Sequence, residues 1–176
     1  MNKVFIGSSV DGFIADKEGK LDWLHSIPNP ENIDMGYASF MEGIDALVMG
    51  RKSFETVSRF IPWPYEKPVF VLSNQLESLP DGFTDKAFLL KGTLKEVLAK
   101  IHAKGYFNLY IDGGQTIRSF LSADLIDEMI ITQIPYLLGG GTPLFTELPR
   151  RLEFQCVESK IFLNSVVQNR FKRKPR

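Results

Sequence analysis

The stretch Ile111-Asp112-Gly113-Gly114-Gln115-Thr116 follows an apolar run of strand character and opens a segment of helix character, and Met49-Gly50-Arg51-Lys52-Ser53 repeats that arrangement earlier in the chain. A strand that turns into a helix through glycine makes an anion-binding corner. The first N–H groups of a helix have no partner inside it and carry partial positive charge, and glycine lets a phosphate approach the main chain. One such corner is common; two suggest a dinucleotide. Neither is a nucleotide fingerprint alone, since G-x-G-x-x-G and G-x-x-x-x-G-K-[ST] are both absent.

Around these corners, Val4–Ile6, Ala46–Met49, Val69–Leu72, Phe88–Leu90, Leu109–Ile111 and Met129–Ile134 are short β-branched or aromatic runs bounded by Gly, Pro, Asp or Ser, as buried strands are. Helices are expected over Asn32–Glu42, Lys52–Ser58 and Gln115–Ser122. Another begins at Thr93-Leu94-Lys95-Glu96, which has capping-box spacing, and Gly105 is placed to end it. Strands alternating with helices predict a mostly parallel central sheet covered on both faces. Beyond Pro149 the pattern changes: Leu152–Phe162 and Ser165–Phe171 read as an antiparallel hairpin turning at Leu163-Asn164, on the sheet edge.

The chain of 176 residues is 44% apolar, enough for one cored domain spanning 1–176. Lys+Arg and Asp+Glu number 21 each, so no global field steers it to nucleic acid or membrane and any anion site is local. A lone Cys156 excludes an intrachain disulfide and a multi-cysteine metal cluster, and His25 and His102 form no metal-ligand spacing. The apolar start Val4-Phe5-Ile6 is too short for a signal-peptide core, and no later run has membrane-spanning length, so a cytoplasmic, metal-free protein is expected. Trp63, between Pro62 and Pro64, reads as a packed turn residue. Gly139-Gly140-Gly141 reads equally as a backbone with unusual dihedrals or as a mobile loop, and Arg170 to Arg176 as a solvated, partly frayed tail.

Val48 to Glu55, Val69 to Ser73 and Ile111 to Leu121 resemble, in order and spacing, the cofactor-binding segments of dihydrofolate reductase. Ser9 to Ala15, Leu125 to Glu128 and Pro135 to Phe145 resemble more closely the C-terminal reductase domain of the bifunctional riboflavin-biosynthesis deaminase-reductase, and the likeness covers nearly the whole chain. It implies an α/β, dihydrofolate reductase-like three-layer fold. It also implies an NADPH-dependent reductase of a small pteridine- or pyrimidine-like heterocycle, in the manner of 5-amino-6-(5-phosphoribosylamino)uracil reduction. The first loop, with Ser9, Ile14 and Ala15, would cover the nicotinamide. Gly50, Arg51, Lys52 and Ser53 would meet one phosphate region, and Gly113, Gly114, Gln115, Thr116 and Ile117 the pyrophosphate. Leu72, Ser73 and Asn74 would lie by the ribose. Ser73-Asn74 carries no acid to bind a ribose 2′-hydroxyl, which favours NADPH, although Gln115 stands where dihydrofolate reductase often has Arg.

Asp34 lies sixteen positions before Gly50, the separation of that family's acidic substrate residue, and Thr132 falls where its supporting threonine would sit. The pair implies a carboxylate and a hydroxyl that hold an amino-heterocycle and organise a proton. An Asp in a first helical turn also suits the helix dipole without catalysis. Leu21 to Ile33 is longer and differently ordered than the family's lid-to-helix segment, with Trp23 out of place, which counts against folate. The deaminase half, with its Pro-Cys-x-x-Cys, cannot be assembled from one cysteine. Dihydrofolate reduction and a non-catalytic nucleotide-binding protein stay open beside the reductase, and the resemblance implies a homodimer.

Overall fold

The computed structural model describes residues 1–175. Ten strands and four α-helices run in the order β1 (Asn2–Ser9), β2 (Phe13–Ala15), α1 (Tyr37–Glu42), β3 (Ala46–Gly50), α2 (Arg51–Val57), β4 (Val69–Leu72), β5 (Ala87–Leu90), α3 (Leu94–His102), β6 (Leu109–Asp112), α4 (Gly114–Ser122), β7 (Glu128–Ile134), β8 (Thr142–Pro143), β9 (Phe154–Phe162) and β10 (Val166–Arg173). Eight strands form one sheet in the order β5-β4-β3-β6-β1-β7-β10-β9. Pairing is parallel from β5 to β7, and β10 then runs antiparallel to β7 and to β9. The expected α/β architecture and C-terminal hairpin are therefore both present.

The strands Leu47 to Met49, Val69 to Val71 and Leu109 to Ile111 are buried on both faces, as parallel strands sandwiched between helices must be. One face packs against α3 and α4 through Val97, Ile101, Ile117 and Phe120. The other packs against α1 and α2 through Phe40 and Phe54, joined by Phe5, Tyr37, Trp63 and Tyr65. Phe54, Phe70 and Phe120 are almost fully enclosed, each contributing roughly 1.5–3 kcal/mol by burial. The α3 capping box forms as expected, with Thr93 N–H donating to Glu96 Oε2 at 2.8 Å and Glu96 N–H donating to Thr93 Oγ1 at 3.4 Å.

Two expectations are corrected. The helix expected from Asn32 begins at Tyr37, because Asn32, Met35 and Gly36 take positive φ (50°, 53° and 85°), which no right-handed helix accommodates. The basic tail is not a frayed end as far as it is described: β10 continues to Arg173, Arg170 pairs with buried Glu128, and Arg173 pairs with buried Asp124. Arg176 lies outside the described residues. The small sheet of β2 and β8 was not foreseen; it ties the first loop to the triple glycine, whose members all have positive φ. Gly141 lies so close to the Ala15 carbonyl that no β-carbon fits between them, so the triglycine serves close backbone approach.

Candidate functional site

Adjacent strands β3 and β6 send their following helices to opposite faces, α2 to the side of Phe54 and α4 to the side of Ile117. A crevice at the carboxyl ends of such strands is where open α/β sheets bind ligands. Both glycine corners open there. A β-carbon built on Gly113, at φ 84°, would overlap Ser53 Oγ, and one on Gly50 would lie 3.1 Å from Thr116 Oγ1, so each corner rests on the other's helix. Neither Gly50 nor Gly113 is replaced by a side chain capping its helix. An amide without an N-cap side chain is one that an external acceptor can meet. A β-carbon on Gly114 would lie 2.5 Å from Ile14 Cδ1, which places the first loop directly over this corner.

The remaining expected cofactor residues are distributed as follows. Ser9 is buried, its hydroxyl donating to Asp11 Oδ1 at 2.6 Å and accepting from Phe13 N–H at 2.9 Å, so it shapes the first loop; Ala15 is buried in β2. Asp11 in turn accepts from Leu138 and Gly139 N–H, fastening that loop to the triglycine. Arg51 is 3.8 Å from Glu55, and Lys52 is exposed. Leu72 packs against the core, Ser73 Oγ accepts from Gln75 and Leu76 N–H, and Asn74 Oδ1 accepts from Gly92 N–H. Gln115 is exposed beside Arg118. Thr116 is buried, and Ile117 is a core residue whose N–H donates to Gly113 O, so its part is to fix α4 in place.

Asp34 and Thr132 do not meet through a hydrogen bond. The exposed Asp34 carboxylate accepts from Gly36 N–H (2.9 Å) and Ala38 N–H (2.8 Å), organising the start of α1, and these amides hold its pKa below the ordinary value. It precedes α1 rather than lying in its first turn. Buried Thr132 accepts instead from Gln168 Nε2 at 2.9 Å, and the same amide donates to Met35 O at 3.0 Å. Gln168, a residue the sequence reading passed over, thus links β10 to the segment before α1.

Asp112, part of the second glycine motif but not among the candidate residues, is the acid at the carboxyl end of β6, immediately before that corner. It ends β6, in register with Met49, on the face packed by aromatic side chains. Burial pushes its carboxyl above the usual range, against hydrogen bonds from Gly113 N–H and Tyr110 that lower it. Tyr110 Oη lies 2.8 Å from Phe5 O and 3.5 Å from Asp112 Oδ1. A phenol has one proton, so Tyr110 donates to one of these acceptors at a time, and Phe5 O is the nearer. Tyr37 and Tyr65 are both pushed up, by burial first and by the Asp112 charge next, so both phenols lie within the field of this carboxylate. A signal was present in the sequence: an acid closing a buried strand immediately before a glycine corner is held where ligands bind. On the opposite face a cavity of about 350 Å³ is lined by Met129, Ile131, Phe145 and Phe171 with Gln133 and Asn169, and no titratable group lines it.

Among the described residues no three His, Cys, Asp or Glu gather as metal ligands, and no helix is long and apolar enough to cross a membrane.

This combination of sheet order, paired glycine corners and edge hairpin defines a dihydrofolate reductase-like fold. More narrowly, residues 3–168 match the RibD C-terminal domain, and the chain belongs to that family. It is similar to a protein of Shewanella sp. PV-4 provisionally ascribed to riboflavin biosynthesis (55% identity, 99% of both chains, TM-score 0.96). The uncharacterized YwjB of Bacillus subtilis (strain 168) is 33% identical over 93% of this chain and 92% of its own length. Enterococcus faecalis dihydrofolate reductase, complexed with NADP(H), shares the fold at 20% identity (99% of this chain, 97% of that one, TM-score 0.66).

Proposed function

We propose that this protein is an NADPH-dependent reductase of a small pteridine- or pyrimidine-like heterocycle. The observation that carries the reading is the contact between the two glycine corners, Gly50 to Ser53 and Gly113 to Thr116, at the point where β3 and β6 diverge. The family supports a RibD-type reductase, and the uncapped starts of α2 and α4 fit a phosphorylated coenzyme. Gly50 to Ser53 and Gly113 to Thr116 would hold its phosphates, with Ile14 over Gly114 closing the first loop on it. NADPH supplies a hydride when bound.

The chain's own part is positioning and proton control. Asp112, whose carboxyl burial pushes above its ordinary range, stands beside the second glycine corner as the group suited to exchange a proton or hydrogen bonds with a bound ring. Asp34 and Thr132 act through structure, Asp34 by ordering α1 and Thr132 by anchoring Gln168. Edge strand β9 leaves Val157 and Ile161 exposed, 45% and 72%, which supports pairing of two copies along the hairpin; sedimentation as a monomer would count against it.

The test is NADPH oxidation, followed by absorbance, across a panel of dihydropteridines and ribosylaminouracils. Turnover on any of them supports a reductase; NADPH binding with no turnover on the whole panel supports a non-catalytic nucleotide-binding protein instead.

A further inference from the structure

Strands β1, β7 and β10 turn one face away from Asp112, and polar side chains stand on it among apolar ones. Ser8 of β1 is in register with Gln133 of β7, and Ile131 of β7 with Asn169 of β10, which sets all four on the side where Ile6, Met129 and Phe171 join the core of α3 and α4. Ser8, Met129, Ile131, Gln133 and Asn169 line the cavity of about 350 Å³, a size within the ~300–1,000 Å³ of small-molecule sites. Ser8 is only 2% exposed, whereas Phe145, which joins Phe154 and Phe171 in the lining, is 46% exposed. Leu144 N–H donates to Gly12 O at 2.8 Å, which fixes the Phe145 segment beside the first loop.

Among the described residues, none hydrogen-bonds to the Ser8 hydroxyl or to the side-chain amides of Gln133 and Asn169. The fully enclosed polar side-chain atoms without a partner are the indole nitrogens of Trp23 and Trp63, so the Ser8 hydroxyl is not sealed in but opens to the cavity. On the other face of the same strands Thr132 and Gln168 satisfy each other at 2.9 Å. Buried polar groups are normally paired, and the three on the cavity side have their pairing capacity left over. Gln133 and Asn169 are diagonal neighbours across β7 and β10, close enough for one ring edge to meet both. Each presents a donor and an acceptor side by side, the complement of an N–H next to a C=O. Arg173 lies 5.6 Å above the Phe154 ring, but its guanidinium is held by Asp124. A charged ligand would lose its hydration here without a counter-ion, whereas a flat ring gains from the aromatic walls.

We infer that this cavity is a second ligand site, separate from the glycine corners, for an uncharged flat ring with a cyclic-amide edge. The ring lies against Phe145, Phe154 and Phe171, its N–H and C=O meet Gln133 and Asn169, and the Ser8 hydroxyl takes a further polar atom. Neither glycine corner nor Asp112 lines the cavity, so the site stands or falls independently of the reductase reading.

The experiment titrates carbostyril, a neutral bicyclic lactam, into the full chain with isotope-labelled Met and Ile methyls, read by NMR, with naphthalene and naphthalene carboxylate as comparison probes. Saturable shifts of the Met129 and Ile131 methyls by carbostyril are the expected result, with both comparison probes at least about tenfold weaker. Gln133→Leu with Asn169→Leu, which keeps the aromatic walls, should weaken carbostyril about tenfold and leave naphthalene no weaker, a split that mere loss of structure would not give. Ser8→Ala, a milder change, should weaken carbostyril about threefold. Absence of saturable shifts, shifts confined to Met49 on the Asp112 face, or equal binding of the carboxylate overturns the inference. Shifts of the Met129 and Ile131 methyls that grow with protein concentration before any probe is added would show a second copy covering the cavity, and overturn it as well.

Discussion

Ser53 Oγ occupies the place that a β-carbon on Gly113 would need, so the first turn of α2 and the corner opening α4 are fitted to each other. Gly113 also has φ 84° and ψ 132°, a region that L side chains rarely enter. Gly113→Ala should therefore lose about 1–3 kcal/mol of stability from the backbone alone, measured by urea denaturation, and Ser53→Ala added to it should recover only the steric part. Full recovery by Ser53→Ala would show that the backbone conformation costs nothing there.

Ile14 and Gly114 form a second fitted pair, with room on Gly114 limited by Ile14 Cδ1 at 2.5 Å and Arg118 Nη1 at 3.0 Å. Gly114→Ala should push the first loop outward and weaken NADPH binding. Ile14→Val, which removes the obstructing methyl, should restore most of it in the double variant, giving a coupling of about 1 kcal/mol. Additive effects in the double-mutant cycle would separate the loop from the corner.

Asp112→Asn should cut turnover roughly 100-fold or more while leaving NADPH affinity nearly unchanged, and Asp34→Asn should keep turnover within about twofold. The two also differ in pH dependence. Burial raises the Asp112 carboxyl in the folded chain, so its contribution to stability is fully present below the ordinary carboxylate value and is lost as pH rises through the folded value. Asp112→Asn should accordingly raise Tm at pH 7.5, with the gain vanishing below about pH 4. Asp34 has the opposite sign: amides lower its pKa, so its contribution is present at neutral pH and fades as acid protonates it. A pH-independent Tm difference for Asp112→Asn would remove the buried charge from the account.

Gln168 joins Thr132 Oγ1 to Met35 O, the latter 133 residues away from Gln168 in sequence. Gln168→Ala leaves a buried hydroxyl and a carbonyl without that donor, at about 1–3 kcal/mol. It should also speed hydrogen exchange at residues 33–38, and unchanged exchange there would show that the segment is held by other contacts.

Much of this was legible in the sequence. The strands, the hairpin and the Thr93 capping box follow from short-range patterns, and both corners were visible because glycine after a buried strand has few other uses. The start of α1 was not legible, since Met35 adopts positive φ where Gln168 binds its carbonyl from β10, a tertiary constraint that no local preference announces. That misplacement made Asp34 look like a first-turn acid. Asp112 was hidden for another reason: a strand-ending acid before Gly-Gly reads as turn chemistry until the aromatic face around it is seen. The Asp124 pairing of Arg173 was hidden likewise, because a basic run near a terminus carries no mark of the buried acid that receives it.

The central claim is that the two glycine corners jointly grip the phosphates of NADPH, and Gly50→Asp tests it most directly. Gly50 has an ordinary φ of −81° at the N-cap of α2, where Asp is a favoured residue, so the variant should fold. Its carboxylate would then sit at the amides intended for a phosphate. Isothermal titration should show saturable NADPH binding by the unaltered chain and none by Gly50→Asp at unchanged circular dichroism. Equal affinity in the two, or no binding by the unaltered chain, would contradict it.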